Sequence, residues 1–153
     1  MAVITADQTA EFLIALLQDA GDPPTNLKLQ KLLYYGQGWN LALKTEKLFD
    51  DRIEAWPHGP VVPRVYGRFK AFRWEPIFTE VVPPELPESV ISHLKEVMEV
   101  YGGYTAYQLE LMTHREAPWL ITRGDLPLDE PSNAVIDPEL MRQYFSDLIK
   151  KEV

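Results

Sequence analysis

The sequence predicts a mainly α-helical fold: a single compact domain over residues 1–153, with about five or six helices and a small β-hairpin. Three observations carry this reading. Apolar residues recur at helical spacing in several separate windows. Each window is bounded by capping residues, Gly or Pro. A single short stretch, around residues 48–56, alternates in the manner of strands.

Composition narrows the function classes. A chain of 153 residues suits one domain with a substantial core. Hydrophobic residues make up 46% and charged residues 25%, which excludes disorder of the whole chain. There is no Cys, so disulfides, thiolate metal sites and a thiol nucleophile are excluded. The net charge of −8 argues against broad attraction to a phosphate backbone and suits plain solubility or a basic protein partner. The first residues lack the basic region of a signal peptide. Asp7, Gln8, Glu11, Gln18 and Asp19 interrupt their apolar run, so no membrane span is expected there either. The expected location is cytoplasmic.

Taken in order, Thr5 and Gln8 form a capping box for a helix from about Ala6 to Asp19. Its apolar face is Phe12, Leu13, Leu16, Leu17 and Ala20, and Gly21 followed by Pro23-Pro24 stops it. Thr25 or Asn26 caps the second helix. Leu29, Leu32, Leu33, Gly36, Trp39 and Leu43 share one face of it. Lys28, Lys31 and Gln37 lie off that stripe. Gly36 and Gly38 each cost about 1 kcal/mol relative to Ala, so close approach by another group is expected there.

The stretch Leu48 to Trp56 reads as two extended pieces around an Asp50-Asp51 turn, the expected hairpin. Pro57-His58-Gly59-Pro60 is a break. A third helix is expected over about residues 61–72, with Pro60 or Pro63 in its first turn. Residues 74–87 are Pro-rich and read as a surface connection, yet Trp74, Ile77, Phe78, Val81 and Val82 in it are expected to be buried.

From about Glu88 a helix resumes through Leu94, Val97 and Tyr101, and Gly102-Gly103 ends it. Thr105 and Gln108 form a second capping box for a helix reaching Thr113-His114. Pro118 opens a short helix that Gly124 ends. After a loop over residues 126–136, Asp137-Pro138 starts a last helix, with Lys150 and Lys151 complementing its dipole.

Chemistry is sparse. His58 and His114 form the one candidate acid–base pair, although turn and helix capping explain each of them better. No nucleophile motif accompanies them. No metal site is expected, since three scattered His without Cys make a poor zinc set and Asp50, Asp51 and Glu54 read as a solvated turn. No nucleotide-binding loop occurs, and no cofactor is expected. Arg64, Arg68, Lys70 and Arg73 cluster on the third helix, an outline compatible with a DNA-binding helix, but the net charge argues against nucleic acid as a partner. The aromatics Tyr34, Tyr35, Trp39, Trp56, Tyr66, Trp74, Tyr104, Tyr107 and Trp119 exceed what a core this small needs, so some are expected to line a partner groove.

Three blocks carry a family resemblance. The first is Asn26-Leu27-Lys28-Leu29-Gln30-Lys31-Leu32-Leu33-Tyr34-Tyr35 with Gln37-Gly38-Trp39. The second is Leu48-Phe49, Ile53-Glu54-Ala55-Trp56, His58-Gly59-Pro60-Val61-Val62 and Val65-Tyr66. The third is Thr113-His114 with Pro118-Trp119. In this order and spacing they resemble the Panacea domain, the SocA-like antitoxin-associated family. The resemblance implies a helical fold and a partner-binding role without catalysis. It implies an antitoxin that neutralises a cognate toxin by direct protein contact, the toxin being encoded by an adjacent gene and in some members delivered to a protease. It carries over no catalytic residue. The family often has Tyr where this chain has His58, which argues against an obligatory catalytic His. The motif and partner-binding candidates are Lys28, Lys31, Tyr34, Tyr35, Trp39, Trp56, His58, Gly59, Pro60, Tyr66, Thr113, His114 and Trp119. Lys28, Lys31, Tyr34, Tyr35 and His58 are expected on the outward side, away from the apolar stripe.

Overall fold

The computed structural model describes residues 2–151. Among these residues, five helices pack around a central one, and a further short helix packs on the outside against the last helix and the first strand. Helix α1 (Ala6–Asp19) opens on the Thr5–Gln8 capping box, and Gly21 follows it with a φ of 76°. The central helix α2 (Asn26–Lys44) starts at Thr25, whose hydroxyl accepts from the Lys28 N–H, and ends at Thr45 in a left-handed conformation. Strands β1 (Glu54–Trp56) and β2 (Gly59–Val61) follow, then α3 (Pro63–Phe69) and a single 3-10 turn, Lys70–Phe72. The remaining helices are α4 (Glu88–Tyr101), α5 (Ala106–Thr113), α6 (Ala117–Arg123) and α7 (Pro138–Lys151). The second capping box, Thr105–Gln108, forms as expected. Pro63 and Pro118 sit in first turns, and Asp137 caps α7 by accepting from the Glu139 N–H at 2.9 Å.

Helices α1, α3, α4, α5 and α7, together with β2, all pack on α2. That explains its weak amphipathicity: a helix surrounded on every side has no solvent face to keep polar. Close approach is real at Gly38, where a Cβ would overlap the Phe145 ring of α7. At Gly36 a Cβ would meet only ordinary contacts, from Leu94 and Leu48. The expected stripe is buried through Gly36 and half-buried against the core at Trp39, while Leu43 at its end is exposed.

The hairpin lies further along the chain than expected. Strand β1 pairs antiparallel with β2, Trp56 facing Gly59 across a two-residue Pro57-His58 turn. Asp50-Asp51 is not its turn. Residues 48 and 49 are instead fixed to α2, where Gln37 accepts from the Leu48 N–H at 2.7 Å and donates to the Phe49 carbonyl at 2.7 Å. The register forms at 54–61 because Gly59 takes a φ of 109°, open to glycine and strained for other residues. The other edge of β1 is covered by residues 134–136, through Ala55 N–H to Ala134 O at 2.9 Å and Ile136 N–H to Ile53 O at 2.8 Å.

Residues 73–87 are a surface connection, as the sequence indicated. Its apolar side chains are not all buried, however. Ile77 is inside, Val81 is partly buried, and Trp74, Phe78 and Val82 are exposed. No helix crosses over them, and Gln18 of α1 holds the segment by its backbone. The Gln18 amide donates to Ile77 O and Thr79 O at 2.9 Å each and accepts from the Val81 N–H at 3.1 Å.

Candidate functional site

The hairpin turn lies directly on α2 and α5. A Cβ on Gly59 would come within 2.6 Å of Lys31 Cε and 2.8 Å of Thr113 Oγ1. Lys31 is fully buried beneath it and donates to the Pro60 carbonyl at 3.1 Å. Burial pushes the Lys31 amine down to about 7, and the Glu110 carboxylate only partly opposes this. His58, at the turn's outer corner, places Nδ1 3.2 Å from Glu110 Oε1. His114 stacks on Trp119 with ring centroids 4.2 Å apart. Burial lowers its pKa, opposed by Glu110 and by a hydrogen bond to the Pro57 carbonyl. Its buried Nε2 has no partner among the described residues. The fold therefore gathers Lys31, Thr113, His114 and Trp119 beneath the His58-Gly59-Pro60 turn, with the Glu110 carboxylate facing Lys31, His58 and His114.

A second buried cluster lies deeper. Glu116 accepts from Tyr34 Oη at 2.9 Å and Tyr35 Oη at 2.8 Å. Burial raises the Glu116 carboxyl to about 7, against the pull of the two phenols. Burial and the Glu116 charge likewise push both tyrosines upward. Tyr35 stacks on Tyr101 at 3.8 Å, and the Tyr101 hydroxyl accepts from Trp39 Nε1 at 2.9 Å.

These contacts correct the expected orientation of α2. Lys28, Lys31, Tyr34 and Tyr35 are all buried and cannot present an outward surface. The reason is physical: each polar group on α2 meets a polar group from another element. Lys28 Nζ donates to Gly102 O at 2.6 Å. Gln30 accepts from the Val62 N–H at 2.9 Å and donates to Asn26, which in turn donates to Tyr66 O at 3.1 Å. Of the thirteen motif and partner-binding candidates, only Trp56, His58 and Tyr66 line the open groove described next, whereas Trp39 borders a smaller apolar recess on the α4 side, about 340 Å³ in volume.

That groove, about 720 Å³ in volume, runs beside the hairpin turn. Trp56, His58, Tyr66, Lys70, Arg73 and Trp74 supply most of its functional groups. Trp56 and Tyr66 meet edge to face at 5.0 Å. The basic cluster on α3 is only partly available to it. Arg64 contacts Asp7 at 2.9 Å, and Arg68 contacts Asp7 at 3.3 Å and Glu11 at 2.8 Å. Partial burial would raise the Asp7 carboxyl, yet the two guanidiniums outweigh that and hold it below the usual carboxylate range. The charges of Arg64 and Arg68 are thus spent against α1, which weakens a DNA-binding role for this helix. Among the described residues no group of three or more His, Asp or Glu could hold a metal ion, and no helix is long and apolar enough to cross a membrane.

Sequence reasoning missed Glu110, Glu116 and Arg123. Glu110 stands four residues before His114, on the same face of α5, so spacing held a signal for it. Glu116 precedes Ala117-Pro118 in the N-cap position of α6, where an acid is ordinary. Arg123 carries no local signal. It is buried and donates to the carbonyls of Ala55, Pro127 and Glu130, at 3.0, 2.8 and 2.8 Å.

A helical domain wound about one polar-studded helix, with an aromatic groove beside a Gly-Pro hairpin, is the class that fold and site define. Within that class the chain belongs to the antitoxin SocA-like, Panacea domain family, whose profile matches residues 29–120. The match includes α2 from Leu29, the hairpin and α5. The chain is also similar to antitoxin SocA of Caulobacter vibrioides (strain NA1000 / CB15N), with 32% identity over 110 residues. That alignment covers 63% of this chain and 58% of the relative, so the chain spans less than two thirds of the curated protein it matches. No solved structure matches.

Proposed function

We propose that this chain is the antitoxin of a toxin–antitoxin pair and neutralises a cognate toxin by direct protein–protein contact in the cytoplasm. The toxin is encoded by an adjacent gene, and no catalytic step or cofactor of this chain is needed. The observation that carries the reading is membership of the SocA-like Panacea family across residues 29–120. The whole chain acts as one such domain, since α1 and α7, outside the matched residues, pack on α2.

Co-expression tests it. The neighbouring gene product expressed alone is expected to arrest growth; together with this chain, growth returns and the two co-purify. A neighbour that is harmless alone and never co-purifies sinks the reading. Delivery to a protease is the second part of the proposal. It predicts a shorter toxin half-life when the antitoxin is present, and an unchanged half-life means simple occlusion.

One observation favours a second reading, catalysis by His58 and His114, because both imidazoles lie within the influence of Glu110. Against it, the open groove is lined by His58 and not by His114. A His58→Ala/His114→Gln variant that still neutralises the toxin disposes of this reading.

A further inference from the structure

We infer that the groove between the hairpin turn and the Arg73-Trp74 corner docks an acidic segment of the partner protein that carries a bulky apolar side chain. The inference rests on the antitoxin reading above and names the surface that serves it.

The corner is built for presentation. Glu75 N–H donates to Phe72 O at 3.0 Å, closing a turn with Arg73 and Trp74 at its centre. Arg73 has φ 57° and ψ −120°, the first central position of a type II′ turn, which glycine normally fills. A side chain held there is strained, and such strain clusters at ligand clamps and switch regions. The turn leaves the next residue, Trp74, 79% exposed. Trp74 lines both the groove and a smaller recess beside Phe72, Glu75 and Phe78. An indole in the open, bordered by recesses on two sides, has the form of an interface anchor.

Charge selects the occupant. Lys70 and Arg73 line the groove and have no ion pair among the described residues, whereas Arg64 and Arg68 on the same stretch are neutralised by Asp7 and Glu11. On a chain of net charge −8, two unspent cations beside three aromatics make a local exception. An acidic peptide segment complements it: carboxylates reach Lys70 and Arg73 while an apolar side chain enters between Trp56, Tyr66 and Trp74. A nucleic acid fits less well, because two free cations neutralise too few phosphates against that net charge.

The test uses the full chain and the purified neighbouring toxin, with binding measured by calorimetry at low and high salt. Trp74→Ala and the double variant Lys70→Glu/Arg73→Glu are each expected to weaken binding by about tenfold or more. The double variant is also expected to lose most of the salt dependence. Ile121→Ser, on the exposed face of α6, is the control and should bind within about twofold of wild type, as surface changes outside an interface do. Melting curves matching wild type show that the variants remain folded. If both groove variants bind the toxin as wild type does, the inference is overturned and the antitoxin reading stands. If wild type itself neither binds nor rescues, the antitoxin reading fails first. A preference for random-sequence duplex DNA over the toxin, lost in the double variant, overturns the inference in favour of nucleic acid.

Discussion

In α2 the polar side chains Gln30, Lys31 and Gln37 are buried, while in residues 73–87 the apolar side chains Trp74, Phe78 and Val82 are exposed. Both regions depart from the usual partition of side chains, in opposite directions. In α2 each amide answers backbone groups of an irregular segment, so that the hairpin and the 48–49 stretch enter the interior without orphaned N–H or C=O groups. Burial of these groups is tolerable because both partners are satisfied. In residues 73–87 the backbone is secured by Gln18 and by Ile77 N–H to Pro24 O at 2.8 Å, and beyond Ile77 only Val81 and Leu86 pack against the core while Phe78 and Val82 stay exposed. The difference separates two tasks. The polar residues of the motif serve folding, and the exposed apolar residues outside it supply the surface on which the proposed docking rests.

Substitutions sharpen that contrast. The largest effect is expected from Gln37→Leu or Gln30→Leu. Each leaves a buried backbone N–H without its acceptor, destabilising the fold by about 3 kcal/mol in urea unfolding. A loss under about 0.5 kcal/mol would mean that these amides do not fasten the loops.

Next comes the pH dependence of the buried charges. The Glu116 carboxyl is raised from 4.5 to about 7 in the folded state. Its stabilising contribution is complete below pH 4.5 and is lost as pH climbs to about 7. The Lys31 amine is lowered from 10.5 to about 7, so the folded state binds fewer protons than the unfolded chain between those values. Its contribution therefore improves as pH rises from about 7 to 10.5. Glu116→Gln should remove the first trend and Lys31→Met the second, each on the order of 2 kcal/mol. The readout is the difference from wild type, because His93 and His114, both lowered chiefly by burial, titrate in the acid range as well. A wild-type-minus-variant difference that stays flat across the window would show that the group titrates normally.

A smaller effect of opposite sign tests the exposed region. Arg73→Gly should hold or raise stability, by about 1 kcal/mol, because glycine relieves the positive φ. The same change should weaken toxin binding, so stability and binding move apart. Smallest of all, Trp74→Ala should shift stability by less than about 0.5 kcal/mol, as an exposed side chain does. A large loss of stability would mean that Trp74 belongs to the core after all.

The helix boundaries were legible in the sequence because capping is local. Thr5–Gln8, Thr105–Gln108, Pro63, Pro118 and Asp137 act within a few residues of themselves. Seven helices form among the described residues, each in a window that the sequence marked, including the short ones at 63–69 and 117–123. Side-chain placement was less legible. Tyr34 meets Glu116 across 82 positions, Gln30 meets Val62 across 32, and no periodicity reports such partners. A Lys on a helix reads as solvated until the strand that covers it is known, as with Lys31 under Gly59 and Pro60. Trp74 and Phe78 were misread for the converse reason: large rings predict burial, yet burial needs a covering element that this chain does not place there.

The three hydrogen bonds of the Gln18 amide make one side chain the latch of a strap. Ile77 is fastened to Pro24 O, so beyond that residue the backbone of the strap hangs on this amide. Gln18→Ala is therefore expected to leave the helical core intact while residues 77–87 become the first site of nicking in limited proteolysis. On the proposed docking, cleavage there would disconnect the Trp74 corner from α4 and abolish binding without unwinding α2. On that reading, degradation begins at the docking surface and reaches the core last.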